Sequence, residues 1–134
     1  MGVPEVTLLD GGTGTELRER GVEVPCHRTS IWSARALVAE PEEVVSVHRE
    51  YIEAGARVVT ACNYAVTPTL LAREGMEGRV EELSLLAVKL ARRAADESGE
   101  EVRVAASLPP LDTSYRADLV AAEPELRAQR RAAP

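Results

Sequence analysis

The stretch "LLDGGTGTELRERG", residues 8–21, decides the fold of this chain. An apolar run over residues 5–10 ends at an acid, Asp10, and two glycines follow at once. A short apolar run of this kind is typical of a buried parallel strand, and the residues from 14 to 20 favour a helix. The stretch therefore predicts a strand, a tight loop and a helix in immediate succession.

The same alternation continues along the rest of the chain. Runs rich in β-branched residues predict a second strand over 57–62 and a third over 101–107. Apolar residues at intervals of three and four predict helices over 33–40, 41–55 and 78–97. Strands separated by helices of adequate length predict parallel βαβ units, and hence an α/β fold.

Composition limits the class of protein. The chain has 134 residues, of which 45% are hydrophobic, and a net charge of -6, which predicts one globular domain over residues 1–134. An acidic chain without a basic stripe is a poor partner for nucleic acid. No run approaches the ~20 apolar residues of a membrane helix, and no basic segment leads into an apolar signal core, so we expect a cytoplasmic protein. Cys26 and Cys62 form no disulfide framework.

Parallel α/β sheets bind ligands at the carboxyl ends of their strands, where Asp10, Cys62 and Ser107 are expected to lie. Gly11 and Gly12 allow a ligand to approach the main chain, and the start of the following helix favours an anion. With Asp10 beside them, these features predict a cradle for both charged groups of an amino acid. A tight turn whose glycines only satisfy backbone geometry is the alternative. Neither GxGxxG nor GxxxxGK[ST] is present in this loop.

Four other side chains could take part in chemistry. We expect His48 to be a buried core histidine that is hydrogen-bonded to the backbone, not a general base. Trp32 is either a core anchor or a flat wall for a ligand, and Tyr64 is expected to line a pocket built from loops. Cys26 and His27 together are too few to close a tetrahedral metal site.

Five segments resemble a known family in order and spacing. They are "LLDGGTGTELRERG", "IWSARAL", "PEEVVSVHREYIEAGARVVTACNY", "TPTLLAREG" and "SLPPLDTSYRADL". Together they resemble the N-terminal part of the homocysteine S-methyltransferase family over about residues 6–119. The resemblance implies the N-terminal portion of a (β/α)8 TIM-type barrel, here incomplete. It also implies methyl transfer from a methyl donor to the thiol of homocysteine, or to a selenol analogue. Residues 120–134 lie beyond the resemblance and are predicted to form a terminal helical segment, either native to the family or aberrant.

The resemblance implies roles for six positions in substrate binding and for none in catalysis. Asp10 corresponds to the acid that accepts the substrate ammonium, and Trp32 to an aromatic on the methyl-donor side. The six implied substrate-binding residues are Asp10, Gly11, Gly12, Trp32, Thr60 and Tyr64.

The family's zinc site is where this sequence departs from the pattern. The resemblance implies a zinc ion that is bound by three cysteine thiolates, one in an Asn-Cys pair and two in a Gly-Gly-Cys-Cys segment. This sequence contains neither, and Cys26 and Cys62 do not stand at those positions. Zinc is thus expected for the family while its ligands are absent from this chain. We therefore expect a fragment that is inactive alone and that associates with itself or with a complementing second half. A non-catalytic remnant that binds an amino acid or another chain is the alternative.

Overall fold

The computed structural model describes residues 5–26, 30–110, 118, 120 and 122–132. Within them, short parallel strands alternate with helices. The strands are β1 (Val58–Thr60) and β2 (Arg103–Ala105). The helices are α1 (Thr13–Glu19), α2 (Ala34–Ala39), α3 (Pro41–Glu53), α4 (Pro68–Ala72), α5 (Val80–Ser98) and α6 (Glu123–Ala132), and a 3-10 turn, Glu77–Arg79, precedes α5.

The sheet is parallel, as the sequence predicts. β1 pairs with β2 in a register that places Val59 opposite Val104. The first apolar run lies on the other side of β1 through a parallel bridge between Leu9 and Val58. Its main chain is held there because the Asp10 N–H donates to the Val58 carbonyl at 3.1 Å. The order of the three segments across the sheet is therefore their order along the chain.

The first segment is much shorter as a strand than the predicted range 5–10. Only Leu9 forms a bridge, and in the described part of the chain it pairs with β1 alone. Val6, Leu8 and Leu9 remain 84%, 52% and 62% exposed. An apolar run favours a strand only where neighbours cover it, and here the described residues cover it on one side.

Helices α3 and α5 pack against each other and against the sheet. α3 begins with Pro41 at its first turn, where a residue without an N–H is tolerated, and ends before Gly55, whose φ is +108°. Arg93 on α5 also forms an ion pair with Glu42 on α3. The core includes the completely buried side chains Leu17, Ile31, Val44, Val47, Val59 and Leu83.

Helix α4 lies in a region for which the sequence analysis predicts no helix. Thr67 caps it, because its hydroxyl oxygen accepts from the Leu70 N–H at 3.2 Å, and Pro68 follows at the first helical position. This Thr-Pro pair is a helix-start signal that the sequence contains. At the other end of the chain, α6 lies within residues 120–134, for which the sequence predicts a helical segment. The candidate His27 lies outside the described residues. None of the described helices combines the length and the apolar character that a bilayer span requires.

Candidate functional site

Asp10 and Thr60 meet at the carboxyl ends of the first two parallel segments. The Thr60 N–H donates to Oδ2 of Asp10 at 2.6 Å, and the Thr60 hydroxyl donates to Oδ1 at 3.1 Å. A carboxylate oxygen can accept more than one hydrogen bond, so this pairing leaves acceptor capacity on Asp10. The structure thus brings together two of the six predicted residues, and it fixes the position of the carboxylate.

Gly11 is needed because Tyr51 packs directly on it. A Cβ atom at position 11 would lie 2.8 Å from the Tyr51 hydroxyl oxygen and 3.1 Å from the ring. The Tyr51 hydroxyl donates to the Gly12 carbonyl at 3.4 Å. Burial, and then the nearby carboxylates of Glu16 and Asp10, raise the pKa of Tyr51, so this hydroxyl stays protonated. The space beside Gly11 is therefore filled by a ring. A Cβ at Gly12 would meet nothing closer than 3.6 Å.

Trp32 and Tyr64 form a second cluster. Their ring centroids lie 6.0 Å apart with an interplanar angle of 89°, an edge-to-face arrangement. Gly14 in α1 admits the indole, since a Cβ there would lie 3.0 Å from its Nε1. Trp32 has a φ of +47°, which is strained for a bulky side chain. The structure thus brings two more of the predicted residues, Trp32 and Tyr64, into contact. The packing of Trp32 on Gly14 was not predicted from the sequence.

His48 is completely buried on α3. The burial confirms the prediction, but the predicted backbone hydrogen bond is wrong, because neither ring nitrogen has a partner in the described part of the chain. Burial lowers the pKa of His48, and the charge of Asp10 opposes this shift only in part. The imidazole is therefore neutral near pH 7.

The described residues do not fit the zinc ion that the resemblance implies. They contain no group of three or more His, Cys, Asp or Glu side chains that could hold a metal ion. Burial raises the pKa of the Cys62 thiol to about 11, and this thiol donates to the Ser33 carbonyl at 3.6 Å. Cys62 is thus a buried thiol, and among the described residues it belongs to no group of side chains that could hold a metal ion. Cys26 is exposed, and neither cysteine forms a disulfide.

Two residues at the site were not predicted from the sequence. Tyr51 belongs to the apolar face of α3, and its position along the helix gave no sign that it faces the glycine loop. Asn63 donates from Nδ2 to the Ser107 carbonyl at 3.0 Å and accepts from the Ser107 N–H at 2.9 Å. Its signal was available, because asparagine is favoured where a chain turns after a strand.

Comparisons with known proteins agree on one family. A family model described as homocysteine S-methyltransferase matches residues 7–130. The homocysteine S-methyltransferase of Escherichia coli (strain K12) is 38% identical over 69% of this chain and 29% of that protein. Homocysteine S-methyltransferase YbgG of Bacillus subtilis (strain 168) is 34% identical over 89% of this chain and 42% of that protein. The crystal structure of the homocysteine methyltransferase MmuM from Escherichia coli, metallated form, matches with a TM-score of 0.81 and 32% identity, over 96% of this chain and 48% of that chain. The chain therefore spans less than half the length of each of these relatives.

The contact between Gly11 and Tyr51 predicts the effect of a small substitution. Gly11→Ala should lower the free energy of unfolding by about 1–3 kcal/mol, because the new methyl group overpacks against the ring. Urea denaturation followed by circular dichroism measures this change. The matched control is the same substitution in a Tyr51→Ala background, where the cost should largely disappear. An equal cost in both backgrounds would show that Tyr51 is not the reason for glycine at this position.

The two cysteines should differ strongly in reactivity. At pH 8 an aromatic disulfide reagent should modify Cys26 quickly and Cys62 at least ~100-fold more slowly, because a buried thiol with a raised pKa is almost wholly protonated. In Cys26→Ser only the slow reaction should remain, and it should become fast in denaturant. Rapid labelling of Cys62 in the folded chain would contradict the buried, protonated state.

Proposed function

Because this chain belongs to the homocysteine S-methyltransferase family, we propose that it supplies the part of such an enzyme that binds and orients homocysteine. The observation that carries this proposal is the Asp10 carboxylate, which Thr60 holds through two hydrogen bonds at a strand end. A carboxylate fixed in this way is a preorganised acceptor for an ammonium group.

The substrate's ammonium group would bind the remaining acceptor positions of Asp10. Its carboxylate would lie beside Gly12, because the Tyr51 ring fills the space beside Gly11. We assign Trp32 and Tyr64 to the side from which the methyl donor approaches. An aromatic face attracts a cationic methyl group, and this pair offers such a surface at the same end of the sheet.

We propose that the chain by itself binds the amino acid and does not transfer the methyl group. Attack on a methyl carbon needs the substrate sulfur as a thiolate, and an ordinary thiol has a pKa of ~8.5. No cluster of side chains among the described residues could hold a metal ion to stabilise that thiolate. Binding and sulfur activation are therefore separate tasks, and the described residues are suited to the first.

We also propose that the three adjacent parallel segments are the N-terminal portion of a (β/α)8 barrel. They lie side by side in chain order, with α3 and α5 packed against them. The exposed apolar side chains Val6, Leu8 and Leu9 favour a second role as a surface that pairs with another chain, either a second copy or a complementing half.

Isothermal titration calorimetry with homocysteine tests the proposed cradle. Asp10→Asn should weaken binding by about 10- to 100-fold, because it removes a charged hydrogen-bond partner worth ~1.5–3 kcal/mol. Asparagine can still accept from the Thr60 N–H, so the fold should be little changed. The control ligand is 4-mercaptobutyrate, which lacks the amino group and should bind wild type and Asp10→Asn equally weakly. Absence of homocysteine binding to the wild-type chain would leave only the interaction role.

Sedimentation velocity tests that second role. The wild-type chain should form concentration-dependent oligomers, and Leu9→Glu should shift it toward monomer because a charge then lies on the apolar edge. Leu85→Glu is the matched control, since Leu85 is also exposed but lies on α5. A monomeric wild-type chain at all concentrations would argue against self-association through this edge and would leave only a complementing half as the partner.

A further inference from the structure

Asn63 connects the two loops that leave β1 and β2. Its side-chain amide donates to the Ser107 carbonyl at 3.0 Å and accepts from the Ser107 N–H at 2.9 Å. The regular ladder reaches only the hydrogen bond from the Ala61 N–H to the Ala105 carbonyl. Beyond this point the amide of Asn63 replaces main-chain pairing, because it offers one donor and one acceptor as a peptide group does.

Asn63 also begins the turn that carries Tyr64. Its N–H donates to the Ala61 carbonyl at 2.8 Å, and its own carbonyl accepts from the Val66 N–H at 3.0 Å. The second of these bonds closes a β-turn with Tyr64 at its second position. The main chain of Asn63 therefore belongs to the turn, while its side chain is bound to the neighbouring loop.

We propose that Asn63 is a positioning residue that sets the Tyr64 ring against Trp32. The main-chain hydrogen bonds of the turn join residues only two or three positions apart. With them, the turn is anchored to the end of β2, 44 residues away in sequence. Tyr64 is 37% exposed, and this turn carries its ring to the edge-to-face contact with Trp32.

The proposal extends the proposed function, because it names a residue that shapes the aromatic side of the site without contacting the substrate. The proposed role of Asn63 rests on the proposed function only for the identity of the ligand that the site binds. The position of Tyr64 relative to Trp32 can be measured without any ligand, so the two proposals can fail independently.

Trp32 is the only tryptophan in the chain, and it therefore reports on its own surroundings. The near-ultraviolet circular dichroism and the fluorescence emission of Trp32 should lose their native values in Asn63→Ala. Tyr64→Leu provides the reference signature for loss of the ring contact, and Asn63→Ala should reproduce it. Asn63→Asp should give an intermediate change, because it still accepts from the Ser107 N–H but repels the Ser107 carbonyl.

Thr67→Ala is the matched control for a general loss of stability. Thr67 lies in the same loop, and its side chain caps α4 by accepting from the Leu70 N–H. Its loss should lower the urea midpoint and leave the Trp32 signals native at low denaturant. If Asn63→Ala also lowers the midpoint but leaves the Trp32 signals native, the residue is only a structural link and the proposal is overturned. If Asn63→Ala fails to fold, the same comparison is decided with Asn63→Asp.

Discussion

The hydrogen bonds between the Asp10 carboxylate and Thr60 are the constraint on which the rest of the site depends. The first apolar segment has a single bridge to β1, so its main-chain pairing is short. The side chain of Asp10 adds two bonds across the same pair of segments, at the end where a ligand would bind. The Asp10 carboxylate therefore links two neighbouring segments of the sheet, and its negative charge lies at the carboxyl ends of the strands. The proposed binding role of Asp10 is compatible with this structural role, because each carboxylate oxygen has more than one acceptor position.

Small residues in the first loop and helix serve the packing of aromatic rings. Gly11 makes room for Tyr51 and Gly14 makes room for Trp32, so α3 and the segment before α2 approach the glycine-rich stretch closely. Trp32 then contacts Tyr64, which lies on the turn that Asn63 begins. Gly11 and Gly14 thus act by leaving the space of a Cβ atom to an aromatic ring. At Gly12 a Cβ atom would make only an ordinary contact with Thr15, at 3.6 Å, so this position is less crowded than Gly11 and Gly14.

In the proposed function, the described residues recognise the substrate and do not activate its sulfur. We propose that Asp10, the Trp32–Tyr64 pair and the main chain at Gly12 bind a small amino acid and its methyl donor. By contrast, Cys62 is buried with a raised pKa, and its thiol donates to the Ser33 carbonyl. A cysteine in that state contributes to packing and not to metal binding. Family membership therefore coexists here with residues that do not fit the metal site, in a chain that spans less than half of its compared relatives.

The sequence by itself determined the α/β class, the parallel direction of the strands and the helices α1, α2, α3 and α5. Hydrophobic periodicity and helix-end signals such as Pro41 and Gly55 are local, so they can be read without coordinates. It also singled out Asp10, since an acid that ends an apolar run is visible without coordinates. Only the tertiary structure decided that Asp10 binds Thr60, that Tyr51 occupies the space beside Gly11 and that His48 is buried without a hydrogen-bond partner in the described region. These contacts join residues 39 to 50 positions apart, or depend on how several elements pack together, and no local pattern encodes such distances.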